Sequence, residues 1–161
     1  MYEKLIPLLE RHEGLRLQAY KDSKDIWTIG IGRNIEHNGF SRAELSTLAI
    51  TQSQLENPET LRISKENAFY LLRNDLIKTE ESLRKYQWFK VLSDIRKDVL
   101  ISMCFNMGER SLLGFNVFIR HLLNARWEEA SIEMLDSDWY RIDVPKRAKE
   151  LSEMLRRNRY L

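Results

Sequence analysis

The chain has 161 residues, 26 Lys and Arg against 24 Asp and Glu, three His, a single Cys and 43 % hydrophobic residues. A chain of about 150 residues buries roughly two-thirds of its unfolded surface, so it needs no staple; Cys104 alone cannot form an intrachain disulfide, which suits a reducing compartment. No run approaches the ~18 apolar residues of a membrane span. The first fourteen residues carry Glu3, Lys4, Glu10 and Arg11, too much charge for a signal peptide. The net charge of +2 is uneven, with a local excess of +4 from Lys146 to Leu161. Without interleaved aromatic residues this segment reads as a solvated helix face and not as a nucleic-acid platform.

In chain order, Leu5, Ile6, Leu8 and Leu9 form an apolar stripe that stops at Gly14. This predicts a helix, begun near Lys4 or kinked at Pro7. Leu15, Leu17 and Ala19 alternate with polar residues, as do Trp27, Ile29 and Ile31 with Thr28, Gly30 and Gly32, around a turn at Lys21 to Asp25. A third strand is expected over Ile35 to Phe40, with Asn38-Gly39 as its turn. The alternation places Thr28 on the polar face of this antiparallel sheet.

Ser41 and Glu44 have the spacing of a capping box, opening a helix expected to run into Gln52–Glu59, where Asn57-Pro58 breaks it. Ser64 caps the next helix, with Ala68, Leu71, Leu72 and Leu76 at 3–4 spacing, predicted to be long, reaching Lys85 and bridging two lobes. Ser93 caps the most apolar run, Asp94 to Met107, a core helix ending at Gly108 in which Cys104 reads as a buried, inert thiol. Further helices are expected around Gly114–Leu122, Arg126–Leu135, Asp138–Tyr140 and Lys146–Arg157.

The chemistry concentrates between Glu13 and Thr28. Eight residues separate Glu13 from Asp22, and five separate Asp22 from Thr28. A helix end and a turn thereby bring together two carboxyls and a hydroxyl. One protonated and one ionised carboxyl is the equipment for acid–base cleavage of a glycosidic bond. Glu13, at the negative end of its helix, is the candidate general acid. Asp22, in an open turn, is the ionised partner, and Thr28 can hold the attacking water. Each residue taken singly has a plain structural reading, as a solvated helix end or a turn former. His12, His37 and His121 lack ligand spacing, so no metal and no cofactor is expected.

The motifs Glu13-Gly14-Leu15-Arg16-Leu17, Tyr20-Lys21-Asp22, Thr28-Ile29-Gly30-Ile31-Gly32, Met103-Cys104-Phe105-Asn106-Met107-Gly108-Glu109, Arg126-Trp127-Glu128-Glu129-Ala130 and Ser137-Asp138-Trp139-Tyr140, then Pro145-Lys146-Arg147-Ala148-Lys149, follow one another from end to end. In this order they resemble the bacteriophage lysozymes of the T-even type, glycoside hydrolase family 24. Glu36 to Ile63 and the last dozen residues match poorly.

The resemblance implies an α+β, mostly α-helical, two-lobed lysozyme-like fold over residues 1–161. Residues 15–63 would form a sheet-bearing lobe with a small three-stranded antiparallel sheet, 64–85 a long joining helix, and 1–14 with 86–161 a helical lobe. The implied activity is a muramidase, an endolysin hydrolysing the β-1,4 bond between N-acetylmuramic acid and N-acetylglucosamine of peptidoglycan with inversion, for host cell lysis. Glu13, Asp22 and Thr28 would be catalytic, with Gly32, Asn34, Phe105, Asn106 and Arg147 as substrate contacts. Where the family often has His, this chain has Arg33, implying an ion pair with Asp75 on the joining helix. His12, in place of an acidic residue, is expected to face solvent, and Val144 removes a polar side chain near Pro145.

The partners implied are peptidoglycan, with no nucleic acid and no stable membrane insertion, for a monomer made in the host cytoplasm that reaches the wall through a separate membrane pore, a holin. Two other readings are a lytic transglycosylase acting on the same bond and a non-catalytic cell-wall-binding module.

Overall fold

The computed structural model describes all residues, Met1 to Leu161. Helix accounts for 66 % of the chain, beside a three-stranded antiparallel sheet of order β1-β2-β3, as the sequence suggests. The chain divides into two compact units, Met1–Ile77 and Lys78–Leu161.

The first unit begins with α1 (Leu5–Glu13). Pro7 falls in its first turn, where a missing N–H costs nothing. The helix ends where Gly14, at φ +77°, turns the chain out and donates its N–H to Glu10 O at 2.8 Å. Strands β1 (Arg16–Lys21), β2 (Trp27–Gly30) and β3 (Arg33–Asn34) follow. The pairs Tyr20–Thr28 and Lys21–Trp27 join β1 to β2, with an irregularity between Arg16 and Tyr20. Thr28–Asn34 and Ile29–Arg33 join β2 to β3. On the outer edge of β1, Ala19 N–H bonds Leu61 O and Ile63 N–H bonds Leu17 O. Ala19, Ile29, Leu61, Ile63, Ala68 and Leu71 form the core beneath the sheet.

The predicted third strand over Ile35 to Phe40 is corrected: pairing ends at Asn34, and Ile35–Asn38 is a helical turn, α2. The Asn34 side chain accepts from His37 N–H at 2.8 Å, and a cap formed within four residues outcompetes a lone edge strand. The single helix expected after Ser41 is two, α3 (Arg42–Leu48) and α4 (Gln52–Glu56). Ala49, left-handed at φ +52°, ends α3, and Thr51 with Gln54 makes a second capping box. The long helix α5 spans Lys65–Leu83, with Ser64 Oγ accepting from Asn67 N–H at 3.1 Å.

The second unit holds the short α6 (Gln87–Lys90), α7 (Asp94–Met107), α8 (Glu109–Leu113), α9 (Asn116–Leu123), α10 (Trp127–Leu135) and α11 (Pro145–Arg157). The helix expected around Asp138–Tyr140 is a single π-helical stretch, Trp139–Asp143. Helices α7, α9, α10 and α11 pack on one another. Buried Arg96 ties α7 to α11: its Nε donates to Leu155 O at 2.8 Å, and its guanidinium lies 3.8 Å from the Trp127 ring centroid. The basic segment is largely spoken for, with Arg156 and Arg157 both bonded to Glu153 and Arg147 buried. No helix is long and apolar enough to cross a membrane.

Candidate active site

Glu13, Asp22 and Thr28 all belong to the first unit. Glu13 is half-buried in the last residue of α1, and Gly14 immediately redirects the chain into β1. Asp22 follows β1 directly. Its Oδ1 accepts two backbone N–H groups, from Lys24 at 2.8 Å and Ile26 at 3.0 Å. The turn is closed by Asp22 N–H to Ile26 O and Asp25 N–H to Asp22 O, both 2.9 Å. Asp25 takes the left-handed conformation this turn needs, at φ +62°, which Asp tolerates better than most residues. The Asp22 carboxylate is therefore fixed through Oδ1 by short-range backbone bonds.

Thr28 is not on an exposed polar face, as the alternation suggests; it is only 5 % exposed. The alternation holds, since Thr28 pairs with Tyr20 and Asn34 while its neighbours Trp27 and Ile29 point the other way. Flanking side chains cover it instead. Its Oγ1 donates to Ile26 O at 3.0 Å. With its proton committed, the hydroxyl can only accept, so a water held there must donate to it.

Tyr20 lies beside this group. Its phenol is held above its ordinary pKa by burial first, then by the Glu13 charge and, more weakly, the Asp22 charge, while Arg16 opposes them. Reasoning from the sequence gave Tyr20 no role; its position two residues before Asp22 was the available signal.

Asn34 contributes its side chain to the α2 cap and lies 2.8 Å from His37 Nδ1. Gly32 is left-handed at φ +72°. In the second unit, Phe105 and Asn106 are half-buried near the end of α7, and Asn106 Oδ1 accepts from the Trp139 indole N–H at 2.8 Å. Arg147 is 8 % exposed in the first turn of α11. His12 is half-buried, not solvent-facing.

Arg33 pairs with Asp75 as expected, through Nε to Oδ2 at 2.9 Å and Nη2 to Oδ1 at 2.8 Å. It also grips Glu44 with a two-pronged bond, Nη1 to Oε2 and Nη2 to Oε1, each 2.9 Å. Arg33 and Glu44 are both 4 % exposed. Glu44 further accepts from Ser41 N–H and Asn74 Nδ2 at 2.9 Å. The Arg33 bond holds the Glu44 carboxyl down at about 2, against the opposing effect of burial. The capping box was legible in the sequence; this second role of Glu44 was not.

A pocket of about 300 Å³ lined by Trp27, Ile35, Glu36, Gly39, Phe40, Leu45, Leu55 and Pro58 opens on the Trp27 side of the sheet, away from Thr28. Neither unit gathers three metal-ligating side chains.

Glu13, Asp22 and Thr28 thus lie on one unit of a mostly helical α+β frame. The sequence profile of the phage lysozyme family matches residues 10–159, and the chain belongs to that family. It is 27 % identical to a probable T4-type lysozyme of Dictyostelium discoideum, covering 86 % of each chain. It is 32 % identical to the endolysin of Salmonella phage P22, over 70 % of this chain and 66 % of the relative. It is also 30 % identical to the pre-baseplate central spike protein Gp5 of Enterobacteria phage T4, where 83 % of this chain matches 24 % of that longer protein. The protein is thus a lysozyme-type hydrolase of the bacterial cell wall.

Proposed function

We propose that the protein is an N-acetylmuramidase that hydrolyses the β-1,4 bond between N-acetylmuramic acid and N-acetylglucosamine with inversion. Glu13 gives its proton to the leaving oxygen. A water donates one hydrogen to Thr28 Oγ1 and the other to Asp22 Oδ2, which leaves a lone pair aimed at the anomeric carbon. Asp22 takes the water's proton as the new bond forms and offsets the oxocarbenium-like charge. The single observation behind this reading is the Thr28 bond to Ile26 O at 3.0 Å, which makes the hydroxyl an obligate acceptor, as a water-positioning group must be.

A transglycosylase has no nucleophilic water for Asp22 and Thr28 to hold, and a binding module needs no such turn. Gly32 and Asn34 are sugar contacts in this reading, Asn34 through the part of its amide not used in capping. The chain works as a monomer, made in the host cytoplasm and reaching the wall through a separate membrane pore; its likeness to an endolysin favours a lytic role.

The test measures new reducing ends released from purified peptidoglycan by the wild type and by Glu13→Gln, with mass analysis of the muramic ends. Hydrated ends that vanish with Glu13→Gln, and an α-anomer as the first product by NMR, are expected. Anhydro ends would make it a transglycosylase, a first-formed β-anomer would refute inversion, and no release from the folded wild type would leave a binding module.

A further inference from the structure

The cap on α2 leaves one side chain half-used. Asn34 pairs with Thr28 across β2 and β3, so its side chain leaves the sheet on the Thr28 face. Its Oδ1 accepts from His37 N–H at 2.8 Å, which fixes the orientation of the amide and turns Nδ2 toward the imidazole. Nδ2 lies 2.8 Å from His37 Nδ1. An amide nitrogen only donates, so Nδ1 is the acceptor and the neutral ring carries its hydrogen on Nε2. Asn34 is half-buried and His37 exposed. One residue thus holds both ends of the amide, and the second Nδ2 hydrogen is left over.

We propose that His37 is a positioning residue for substrate: its unprotonated Nδ1 holds the Asn34 amide so that the second Nδ2 hydrogen meets a sugar oxygen on the Thr28 face. This rests on the reading of Asn34 as a sugar contact beside Thr28.

The grip is conditional on charge. A protonated imidazole carries hydrogen on both nitrogens, so Nδ1 stops accepting and faces Nδ2 as a second donor. The cap survives, because it uses only Oδ1 and the His37 N–H, while the bond that sets the plane of the amide is lost. Cap and grip are therefore separable. The elements packed on α2 bring little charge to the ring. Strand β2 has no ionisable side chain, and Arg33 of β3 is spent on Glu44 and Asp75. Leu45, Leu55 and Pro58, across the pocket, are uncharged, and Glu36 is the one acidic group on α2 itself.

Three variants test this, with the thermal midpoint as the check on folding. The Asn side-chain oxygen is as many bonds from Cα as His Nδ1, so His37→Asn keeps an acceptor that acid does not remove. His37→Phe keeps the bulk of a ring and has no acceptor. Asn34→Asp keeps the cap and loses the donor. KM and kcat are measured on soluble, uncrosslinked peptidoglycan strands, at the pH where NMR shows the His37 ring neutral and again where it is protonated. With the ring neutral, His37→Phe and Asn34→Asp should raise KM about threefold, the size of one partly exposed hydrogen bond, and leave kcat within about twofold. His37→Asn should match the wild type there. With the ring protonated, the wild-type KM should climb to that of His37→Phe, while His37→Asn stays low. Equal KM in wild type and His37→Phe at both pH values would overturn the proposal. Equal losses in His37→Phe and His37→Asn would also overturn it, by reducing His37 to a part of the cap.

A second measurement needs no turnover. The Asn34 side-chain amide signals should move with the His37 titration in the wild type and stay still in His37→Asn; an amide indifferent to the ring would refute the contact. An active Glu13→Gln enzyme would sink the assignment of the acid, while the amide titration would still judge the bond between His37 and Asn34.

Discussion

Glu44→Gln isolates the charge of one buried carboxylate while leaving its shape and its cap. Gln can still accept from Ser41 N–H, since Ser-x-x-Gln is also a capping box, so the chief loss is the charge facing Arg33. The wild-type carboxyl lies at about 2 in the folded chain against an ordinary 4.5. At about 1.4 kcal/mol per tenfold, that gap is worth about 3 kcal/mol. Because the folded value is the lower one, this stability is fully present above about 4.5 and is lost as pH falls through about 2. The linkage relation gives a difference between wild type and Glu44→Gln of about 3 kcal/mol at pH 7, roughly half of that at pH 3 and little at pH 2. Removing one partner of a buried pair has cost of the same order elsewhere, though Asp75 still neutralises Arg33 here.

Urea denaturation followed by far-UV circular dichroism at these pH values measures the difference. Hydrogen exchange at the amides of β2 and α3 would assign it to the first unit. A penalty that is equal at pH 3 and pH 7, or below about 1 kcal/mol at pH 7, would refute the argument that the charge pair and not the cap is what Glu44 supplies.

Other consequences are equally direct. Burial pushes the Cys104 thiol up to about 12; a disulfide reagent at pH 8 should leave it unlabelled in the folded protein and label it fully in denaturant. Asp98 is held above the ordinary carboxyl range by burial, and its acceptor role for the Tyr160 hydroxyl at 2.7 Å offsets this only in part. A raised carboxyl costs stability once it ionises, so Asp98→Asn should melt higher than wild type at pH 7 and lose that advantage at pH 3. A lower midpoint at pH 7 would mean that the charged bond to Tyr160 outweighs burial. Gly30 has φ +68°, while a Cβ there would meet Ala68 at an ordinary 3.6 Å; Gly30→Ala should therefore cost about 1–2 kcal/mol from backbone strain alone, read as a lower midpoint with an unchanged acidic limb of the activity profile.

The sequence by itself determined whatever is decided within a few residues. The stop at Gly14, the Ser41–Glu44 box, the Ser64 and Ser93 caps and the hairpin after Glu13 are local bonds, and local composition encodes them. The turn that fixes Asp22 is of the same kind, closed between Asp22 and Ile26. One local signal was there and went unread: Thr51 and Gln54 repeat the capping-box spacing, although Ala49 gives no composition cue for the left-handed break before it.

Tertiary structure decided the rest. Glu44 reaches Arg33 eleven residues away and Arg33 reaches Asp75 across forty-two, and only folding makes those side chains neighbours. Thr28 is buried between same-face neighbours, Tyr20 and Asn34, that the paired strands bring beside it, a fact of register and not of its own alternation. Asn106 is held by Trp139 across thirty-three residues. A capping bond needs only the chain's own short reach, whereas a buried charge or a covered hydroxyl depends on which distant surfaces meet to exclude water.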